Sequence, residues 1–204
     1  IIPKPFDERV LAWVAPAVAQ AAMETGVARA PVDIEEYKEA LAGRLSPHRG
    51  TLQRIVSIAR SAPPRLVFPE GEHDRIIKAA AIVRDEKIGR PILLGNPDTI
   101  AFRAQELEID LSGVEIVLPH RHPDLDRYVE SYWSMRQRKG LTRYDAHKSV
   151  RRERRVFGML MVHLGDADGC VSGLTSSYPD TIRPALRIVG LAPGYRRASG
   201  MYMM

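Results

Sequence analysis

Residues 166–186, with the sequence DADGCVSGLTSSYPDTIRPAL, contain the local pattern that decides the fold. Residues 169–171 are a short apolar run that predicts a buried strand, and residues 172–178 form a small polar turn. A helix is predicted to open at Pro179, and Arg183 lies one turn into it. A strand, a polar turn and a helix in this order are typical of an α/β sheet.

The polar turn carries the groups that an anion pocket needs. Side-chain hydroxyls and backbone N–H groups come from Ser172, Gly173, Thr175, Ser176 and Ser177. The helix start adds unpaired N–H groups and the positive end of the helix dipole, and Arg183 adds a planar guanidinium. This indicates a phosphate or carboxylate pocket at the carboxyl end of a strand. An ordinary βα loop with an N-cap is the alternative, and these residues alone leave both open.

The composition is that of a soluble protein, since 45% of the 204 residues are hydrophobic and 27% are charged. The single cysteine, Cys170, excludes an internal disulfide and indicates a cytoplasmic protein. No apolar run approaches the roughly 20 residues that cross a bilayer, so no membrane partner is expected. The chain opens on Ile1 without an initiator methionine and closes on an apolar run, residues 198–204. We therefore expect an internal piece of a longer protein, poorly soluble or associating when isolated.

The positive charge is concentrated in one run. The net charge is +5 and the pI is near 9.5, and residues 148–155 read KSVRRERR. On one continuous helix these side chains spread around the surface, which favours a solvated face. A clamp for a nucleotide phosphate and a nucleic-acid patch are the functional alternatives. No aromatic residue is interleaved with the arginines, so nucleic acid is the less favoured partner.

Residues 1–45 are predicted to form a helical unit, and residues 46–64 a semi-rigid connector. Asp7 is a candidate N-cap of the first helix, and Pro16 is expected to kink or divide that helix. A second helix is predicted from Asp33, which begins a capping-box pattern. Two short helices cannot bury both apolar faces alone, so we expect this unit to dock on a larger body.

From residue 65 onward, short apolar strands alternate with amphipathic helices. The predicted strands are 66–68, 91–94, 114–118, 169–171 and one from about 197; the predicted helices are 73–88, 123–138, 144–163 and one from 179. Short apolar strands that alternate with amphipathic helices predict an α/β fold, a parallel sheet flanked by helices on both faces.

Several simpler sites are absent or weakly indicated. Neither a complete dinucleotide motif nor a P-loop occurs in the sequence. His120 and His122 could ligate a metal, but no Cys or further His has suitable spacing, so no metal site is expected. Cys170 is predicted to be a core residue, and Glu70 and Glu72 are predicted to cap the next helix rather than to face a ligand.

A second group of cations ends a predicted helix. Arg136 begins the run RQRKGLT, in which three cations precede Gly140. Compensation of the helix dipole is one interpretation. The other is an anion pocket that Arg136 shares with Arg183.

Five segments together resemble a known family. They are VFPEGEHDRIIKAA, RPILLGNP, MRQRKGLT, DGCVSGLTSSYPDTIRPAL and APGYRRASGMYMM, and they follow in the order seen in phosphotransacetylases. The resemblance covers residues 65–204. Residues 1–45 resemble the end of the NAD(P)-binding domain of bacterial malic enzymes, a Rossmann-type domain. This order is similar to that of hybrid NADP-dependent malic enzymes, so residues 65–204 are expected to be the first part of a phosphate acetyl/butyryltransferase-like domain.

The resemblance implies oxidative decarboxylation of malate by the parent enzyme, with NADP or NAD and Mg²⁺ or Mn²⁺ bound upstream of Ile1. It also implies an acyl-CoA or phosphate site, in which Arg136 and Arg183 match family arginines and Ser177 matches a family Ser/Thr. The expected pocket comprises Arg136, Thr175, Ser176, Ser177 and Arg183; no catalytic residue is assigned.

The sequence departs from the family pattern at two places. Tyr178 and Pro179 replace a small hydroxyl residue and an alanine. The serine, arginine and aspartate that assist CoA deprotonation in the family would lie beyond Met204. Both departures favour a regulatory domain that binds acetyl-CoA without processing it. The parent is expected to be a cytoplasmic homo-oligomer. The fragment alone is expected to be inactive. An active phosphate acetyltransferase is the first alternative, and a basic nucleic-acid-binding module is the second.

Overall fold

The computed structural model describes residues 8–45 and 47–200, and the chain divides into two compact units between Ile58 and Ala59. The first unit is helical and contains α1, α2 and most of α3, which span Glu8–Glu24, Ile34–Leu45 and Pro47–Ser61. None of the helices in the described ranges is both long and apolar enough to span a bilayer.

Two predictions for the helical unit have different outcomes. Pro16 was expected to kink or divide the first helix; it lies inside α1 and does not divide it, and the kink stays a prediction. Asp33 Oδ1 accepts hydrogen bonds from the backbone N–H groups of Glu35 and Glu36 at 2.9 and 3.0 Å. These bonds satisfy donors in the first turn of α2 and confirm Asp33 as the start of the second helix. The other candidate cap, Asp7, lies outside the described residues.

The second unit is built on a four-stranded sheet. Its strands are β1 (Arg65–Phe68), β2 (Arg90–Leu94), β3 (Glu115–Val117) and β4 (Gly169–Cys170). They are all parallel and lie in the order β3-β2-β1-β4. The register places Val67 of β1 opposite Ile92 of β2 on one side and Cys170 of β4 on the other. The carboxyl ends of β1 and β4 are therefore neighbours, although they are far apart in the sequence.

Six α-helices and two short 3₁₀ helices connect and follow these strands. They are α4 (Asp74–Asp85), α5 (Pro97–Glu106), a 3₁₀ helix (Pro119–Arg121), α6 (Leu125–Arg136), a 3₁₀ helix (Gln137–Lys139), α7 (Arg143–Arg152), α8 (Arg154–His163) and α9 (Tyr178–Ile188).

Alternate residues of the strands serve two apolar cores. One core joins Phe68 and Leu93 to Ile77 of α4 and Ile100 of α5. The other core contains the strand residues Val67, Ile92 and Leu94 and the helix residues Tyr128, Phe157, Leu160 and Ile188. Because successive strand side chains point to opposite faces, each face of the sheet is covered by helices. This confirms the predicted α/β fold.

The predicted helix 144–163 is wrong in one respect, because the chain forms two helices that meet at Glu153. Glu153 has an extended backbone, with φ −99° and ψ 93°. The break separates the polar α7 from α8, in which the whole stretch 156–161 is buried.

Two other segments differ from their predictions. α5 was not predicted, although Asn96 Oδ1 accepts the Asp98 N–H at 2.9 Å and Pro97 occupies the first turn. Both features are typical of a helix start. The predicted last strand is not formed by residues 197–200, and the remainder of that segment lies outside the described residues.

Candidate functional site

Parallel pairing of β1 with β4 brings two loops together at one edge of the sheet. The β1–α4 turn, residues 69–73, contains Glu70, Gly71 and Glu72, and the β4–α9 loop, residues 171–177, contains the predicted polar turn. Carboxyl ends of parallel strands are the usual place for ligands in such sheets. The two loops therefore define the candidate site.

Glu70 occupies the backbone donors of the β4–α9 loop. Its carboxylate accepts N–H hydrogen bonds from Gly173 at 3.3 Å and from Thr175 at 3.1 Å, and a hydroxyl hydrogen bond from Thr175 Oγ1 at 3.2 Å. Partial burial acts to raise the pKa of the Glu70 carboxyl, but the hydrogen bonds outweigh it and lower the pKa below the ordinary value. The loop amides that the sequence assigns to an anionic ligand thus bind a carboxylate of the same chain.

Glu72 joins the β1–α4 turn to the start of α5 and to α8. Its Oε1 accepts the Asn96 N–H at 2.8 Å and a hydrogen bond from Arg154 Nη2 at 2.5 Å. Burial acts to raise the pKa of Glu72, and the hydrogen bonds from Arg154 and Asn96 lower it overall. The prediction that these glutamates cap the next helix was wrong, because His73 is the N-cap of α4 and accepts the Arg75 N–H.

Gly71 is required between the two glutamates by close packing. A Cβ atom at this position would lie 2.9 Å from Leu93 Cβ and from the backbone N and O of Leu94. Real Cβ atoms do not approach backbone this closely, so the turn can lie against β2 only if residue 71 has no side chain.

The three predicted hydroxyl residues all have partners within the chain. Thr175 donates to Glu70, and Arg155 donates to Ser176 Oγ. Ser177 is the N-cap of α9: its hydroxyl accepts the Asp180 N–H at 3.4 Å and donates to Asp180 Oδ2 at 2.6 Å. The N-cap alternative for this turn is therefore realised at Ser177.

A cavity of about 540 Å³ lies beside these contacts, and we call it the β1-end cavity. It is lined by Pro69, Glu70, Glu72, His73, Arg152, Glu153, Arg154, Arg155 and Thr175. Its volume is within the range of small-molecule sites, roughly 300–1,000 Å³. Thr175 is the only one of the five predicted pocket residues in this lining.

The two predicted arginines lie elsewhere. Arg136 ends α6 and lines a smaller cavity of about 230 Å³, the α6-end cavity, with Lys139 and Arg187 among its other lining residues. Arg183 lies on α9 with an exposed side chain, 4.0 Å from the Asp180 carboxylate, and lines neither of these two cavities. Whether Arg136 and Arg183 share one anion remains a prediction.

His122, considered as a metal ligand, and Cys170, considered as a nucleophile, both make contacts that support the fold. His122 stacks against Tyr128 with ring centroids 5.2 Å apart, and its Nδ1 accepts the Asp124 N–H. In the described part of the chain, His, Cys, Asp and Glu form no group of three or more that could hold a metal ion. Cys170 packs against the core, as predicted, and burial together with the nearby Glu70 charge raises its pKa to about 12.

Several residues at the candidate site have sequence signals that did not lead to a site prediction. Glu70 and Glu72 flank Gly71 directly after a strand, and Arg152, Arg154 and Arg155 belong to the basic run. Their convergence depends on the sheet register and on the helix break at Glu153, neither of which is visible in a local pattern.

Comparisons with known proteins support the resemblance to phosphotransacetylases and to NADP-dependent malic enzymes. The family model described as phosphate acetyl/butaryl transferase matches residues 50–204. The NADP-dependent malic enzyme of Rhizobium meliloti is 38% identical over 96% of this chain, and the phosphate acetyltransferase of Synechocystis is 39% identical over 75% of it. The chain spans about a quarter of the length of these relatives, 26% and 22% respectively.

The fold has a solved counterpart. The EutD phosphotransacetylase from Staphylococcus aureus matches 74% of this chain with a TM-score of 0.68 and 31% sequence identity, and 45% of that protein is covered. The matched family model extends over more than half of the chain. This chain therefore belongs to the phosphate acetyl/butaryl transferase family.

Proposed function

We propose that this chain is part of an NADP-dependent malic enzyme and that its phosphotransacetylase-like region binds an acyl-CoA to regulate malate oxidation. The observation that carries the first half is the extent of similarity. The match to the malic enzyme covers 96% of the chain, whereas the match to the phosphate acetyltransferase covers 75%. The additional coverage must include most of residues 1–49, which precede the matched family model.

Binding without turnover is supported by the internal partners of the polar turn. Thr175, Ser176 and Ser177 each use their hydroxyl in a contact with Glu70, Arg155 or Asp180. The Thr175 and Ser177 hydroxyls donate their protons to Glu70 and Asp180, so neither can donate to a transition state without losing that bond, which raises the barrier. Tyr178 and Pro179, which begin α9, add a bulky side chain and a rigid backbone at the same turn.

The divalent metal of the proposed parent does not fit the residues that the structure describes. Among residues 8–45 and 47–200, no carboxylate or histidine group suits a metal ion. Mg²⁺ or Mn²⁺ is therefore proposed to bind to other parts of the parent. NADP or NAD is proposed to bind there too, and acetyl-CoA is the ligand proposed for this chain. A homo-oligomeric parent in the cytoplasm is part of the same proposal.

The test is acetyl-CoA binding to the native protein that contains this chain, with malate oxidation and acetyl-phosphate formation measured in parallel. We expect acetyl-CoA to bind, to change malate turnover and to yield no acetyl phosphate. Arg183→Ala is expected to weaken binding about tenfold, the loss expected for one charge-assisted hydrogen bond. Arg121→Ala, on the 3₁₀ helix after β3, is the matched control and should bind as the unaltered protein does.

An active phosphate acetyltransferase is the second candidate, and the structural similarity to the Staphylococcus phosphotransacetylase favours it. Steady formation of acetyl phosphate from acetyl-CoA and phosphate would establish this activity and contradict regulation by binding alone. Malate oxidation that is unaffected by bound acetyl-CoA would also contradict the regulatory proposal.

A further inference from the structure

The basic run is directed into the β1-end cavity by the helix break. If residues 148–155 formed one continuous helix, their arginines would spread around its surface. Because α7 ends at Arg152 and α8 begins at Arg154, the chain turns at Glu153 and three arginines line the same cavity. They are Arg152, Arg154 and Arg155.

The cations of this cavity differ in how far the chain compensates them. Arg154 forms an ion pair with Glu72, so its charge is matched. Arg155 donates to the neutral Ser176 hydroxyl, and within the described residues neither Arg152 nor Arg155 makes an ion pair.

The carboxylates of the same lining are also unequal. Glu70 is hydrogen-bonded by the β4–α9 loop, and Glu72 is paired with Arg154. Glu153 also lines the cavity, and it is exposed to solvent. Arg152 and Arg155, the two guanidinium groups without an ion-pair partner among the described residues, therefore line the cavity together with one solvent-exposed carboxylate, that of Glu153.

The N-terminus of α8 adds donors at the same place. α8 is ten residues long, and Glu153 at its N-cap position makes no side-chain hydrogen bond to its first turn. The first N–H groups of a helix have no intrahelical partner, and the helix dipole favours negative charge there. Combined with two arginines and an open cavity, this end of α8 suits a phosphate group.

We infer that Arg152, Arg155 and the first turn of α8 form a phosphate subsite, which takes a phosphate group of a nucleotide-type ligand in the β1-end cavity. If the proposed function holds, that ligand is the acyl-CoA and the subsite binds its phosphorylated nucleotide end; the identity of the ligand, though not the subsite, rests on that proposal. Free inorganic phosphate offers the same chemistry and is distinguished by experiment.

The experiment measures binding by calorimetry at fixed low ionic strength, in the native protein that contains this chain. The probes are acetyl-CoA, the adenosine bisphosphate that forms the nucleotide end of CoA, acetyl-pantetheine, which has the thioester without the nucleotide phosphates, and inorganic phosphate. The variants are Arg152→Gln and Arg155→Gln. Arg151→Gln is the matched control, because Arg151 is exposed, lies in the same run and does not line the cavity.

We expect each cavity variant to weaken acetyl-CoA and the bisphosphate about tenfold, the loss expected for one arginine–phosphate contact. Acetyl-pantetheine affinity should be unchanged in every variant, and Arg151→Gln should change all affinities less than about twofold. Inorganic phosphate that binds as tightly as the bisphosphate, with the same losses, would support the subsite and identify free phosphate as its ligand.

The inference and the proposed function can fail separately. Equal binding of acetyl-CoA by the cavity variants and the control would overturn the subsite and leave acetyl-CoA regulation intact. Bisphosphate binding that is lost in the variants, in a protein that does not bind acetyl-CoA, would support the subsite and overturn the proposed function. Thermal melting verifies that each variant is folded. If Arg155→Gln has a lowered melting temperature, the affinities of Arg152→Gln, which alters an exposed residue, decide the test.

Discussion

Arg154 and Glu72 are 82 residues apart in the sequence and form an ion pair of 2.5 Å that fixes the start of α8 to the turn after β1. Glu72 also accepts the Asn96 N–H, so three chain segments meet at one carboxylate. Both side chains are more than half buried, at 37% and 28% exposure. The pair is thus placed to determine the shape of the β1-end cavity.

Glu72→Gln is expected to lower the free energy of unfolding by about 1 kcal/mol, because Arg154 loses its counter-charge in a partly solvated position. A fully buried pair would cost about 3–5 kcal/mol, which the exposure of Arg154 argues against. Urea unfolding measures the change. Glu130→Gln is the control, because Glu130 pairs with Arg143 on the surface with 55% and 66% exposure, and it should stay within about 0.5 kcal/mol. Equal losses in both variants would show that the Glu72 contact contributes no more than a surface pair.

Gly71→Ala is expected to destabilise the protein by about 1–3 kcal/mol, because the added methyl group meets the backbone of Leu94 at 2.9 Å. The same change should displace Glu70 and Glu72 from their partners and weaken ligand binding. Gly200→Ala is the matched control: nothing lies within 4 Å of its added Cβ. A Gly71→Ala variant that melts with the unaltered protein would contradict the close approach.

Asp168 is expected to make stability depend on pH under acidic conditions. Hydrogen bonds and charge attraction from Arg65 lower the pKa of Asp168 from 3.8 to about 2. Since the folded pKa is the lower one, the ionised carboxylate stabilises the fold above the unfolded pKa, and this stabilisation is lost as the pH falls toward about 2.

The measurement compares the unaltered protein with Asp168→Asn. The difference in their unfolding free energies should be constant near neutral pH and should shrink between pH 3.8 and about 2. A difference that grows in this range would contradict the lowered pKa of Asp168.

Cys170 is expected to resist alkylation in the folded protein. Its pKa is raised to about 12 by burial and by the Glu70 charge, so almost none of it is thiolate at neutral pH. Iodoacetamide uptake at Cys170 is measured by peptide mass spectrometry, so that the signal reports this site alone. Uptake should be at least tenfold slower than in the urea-unfolded chain. Equal rates would indicate that the β4 segment opens readily.

The sequence predicted the elements that are strongly periodic or capped. The strands at 66–68 and 91–94 were visible as apolar runs, and Asp33 was visible as a helix start. α5 was missed because it is short, although Asn96 and Pro97 provide a cap signal. The helix break at Glu153 was missed because neither glycine nor proline occurs there, and tertiary packing of α8 overrides the local preference.

The site was less predictable than the fold. Ser177 could be recognised as an N-cap or ligand residue from its position before Pro179, and it is an N-cap. The acceptor for the loop amides, Glu70, is 103 residues from Gly173, so no local pattern could identify it. The role of the basic run likewise depends on a change of direction at one residue, Glu153.

The pairing of β4 with β1 has a kinetic consequence. The β4–α9 loop receives its acceptor from Glu70 only when two strands about 100 residues apart in the chain lie side by side. Contacts with such long sequence separation require large loops to close and therefore form late in folding. We therefore expect the candidate site to be among the last parts of the domain to form, so that a formed β1-end cavity would indicate that β4 has paired with β1.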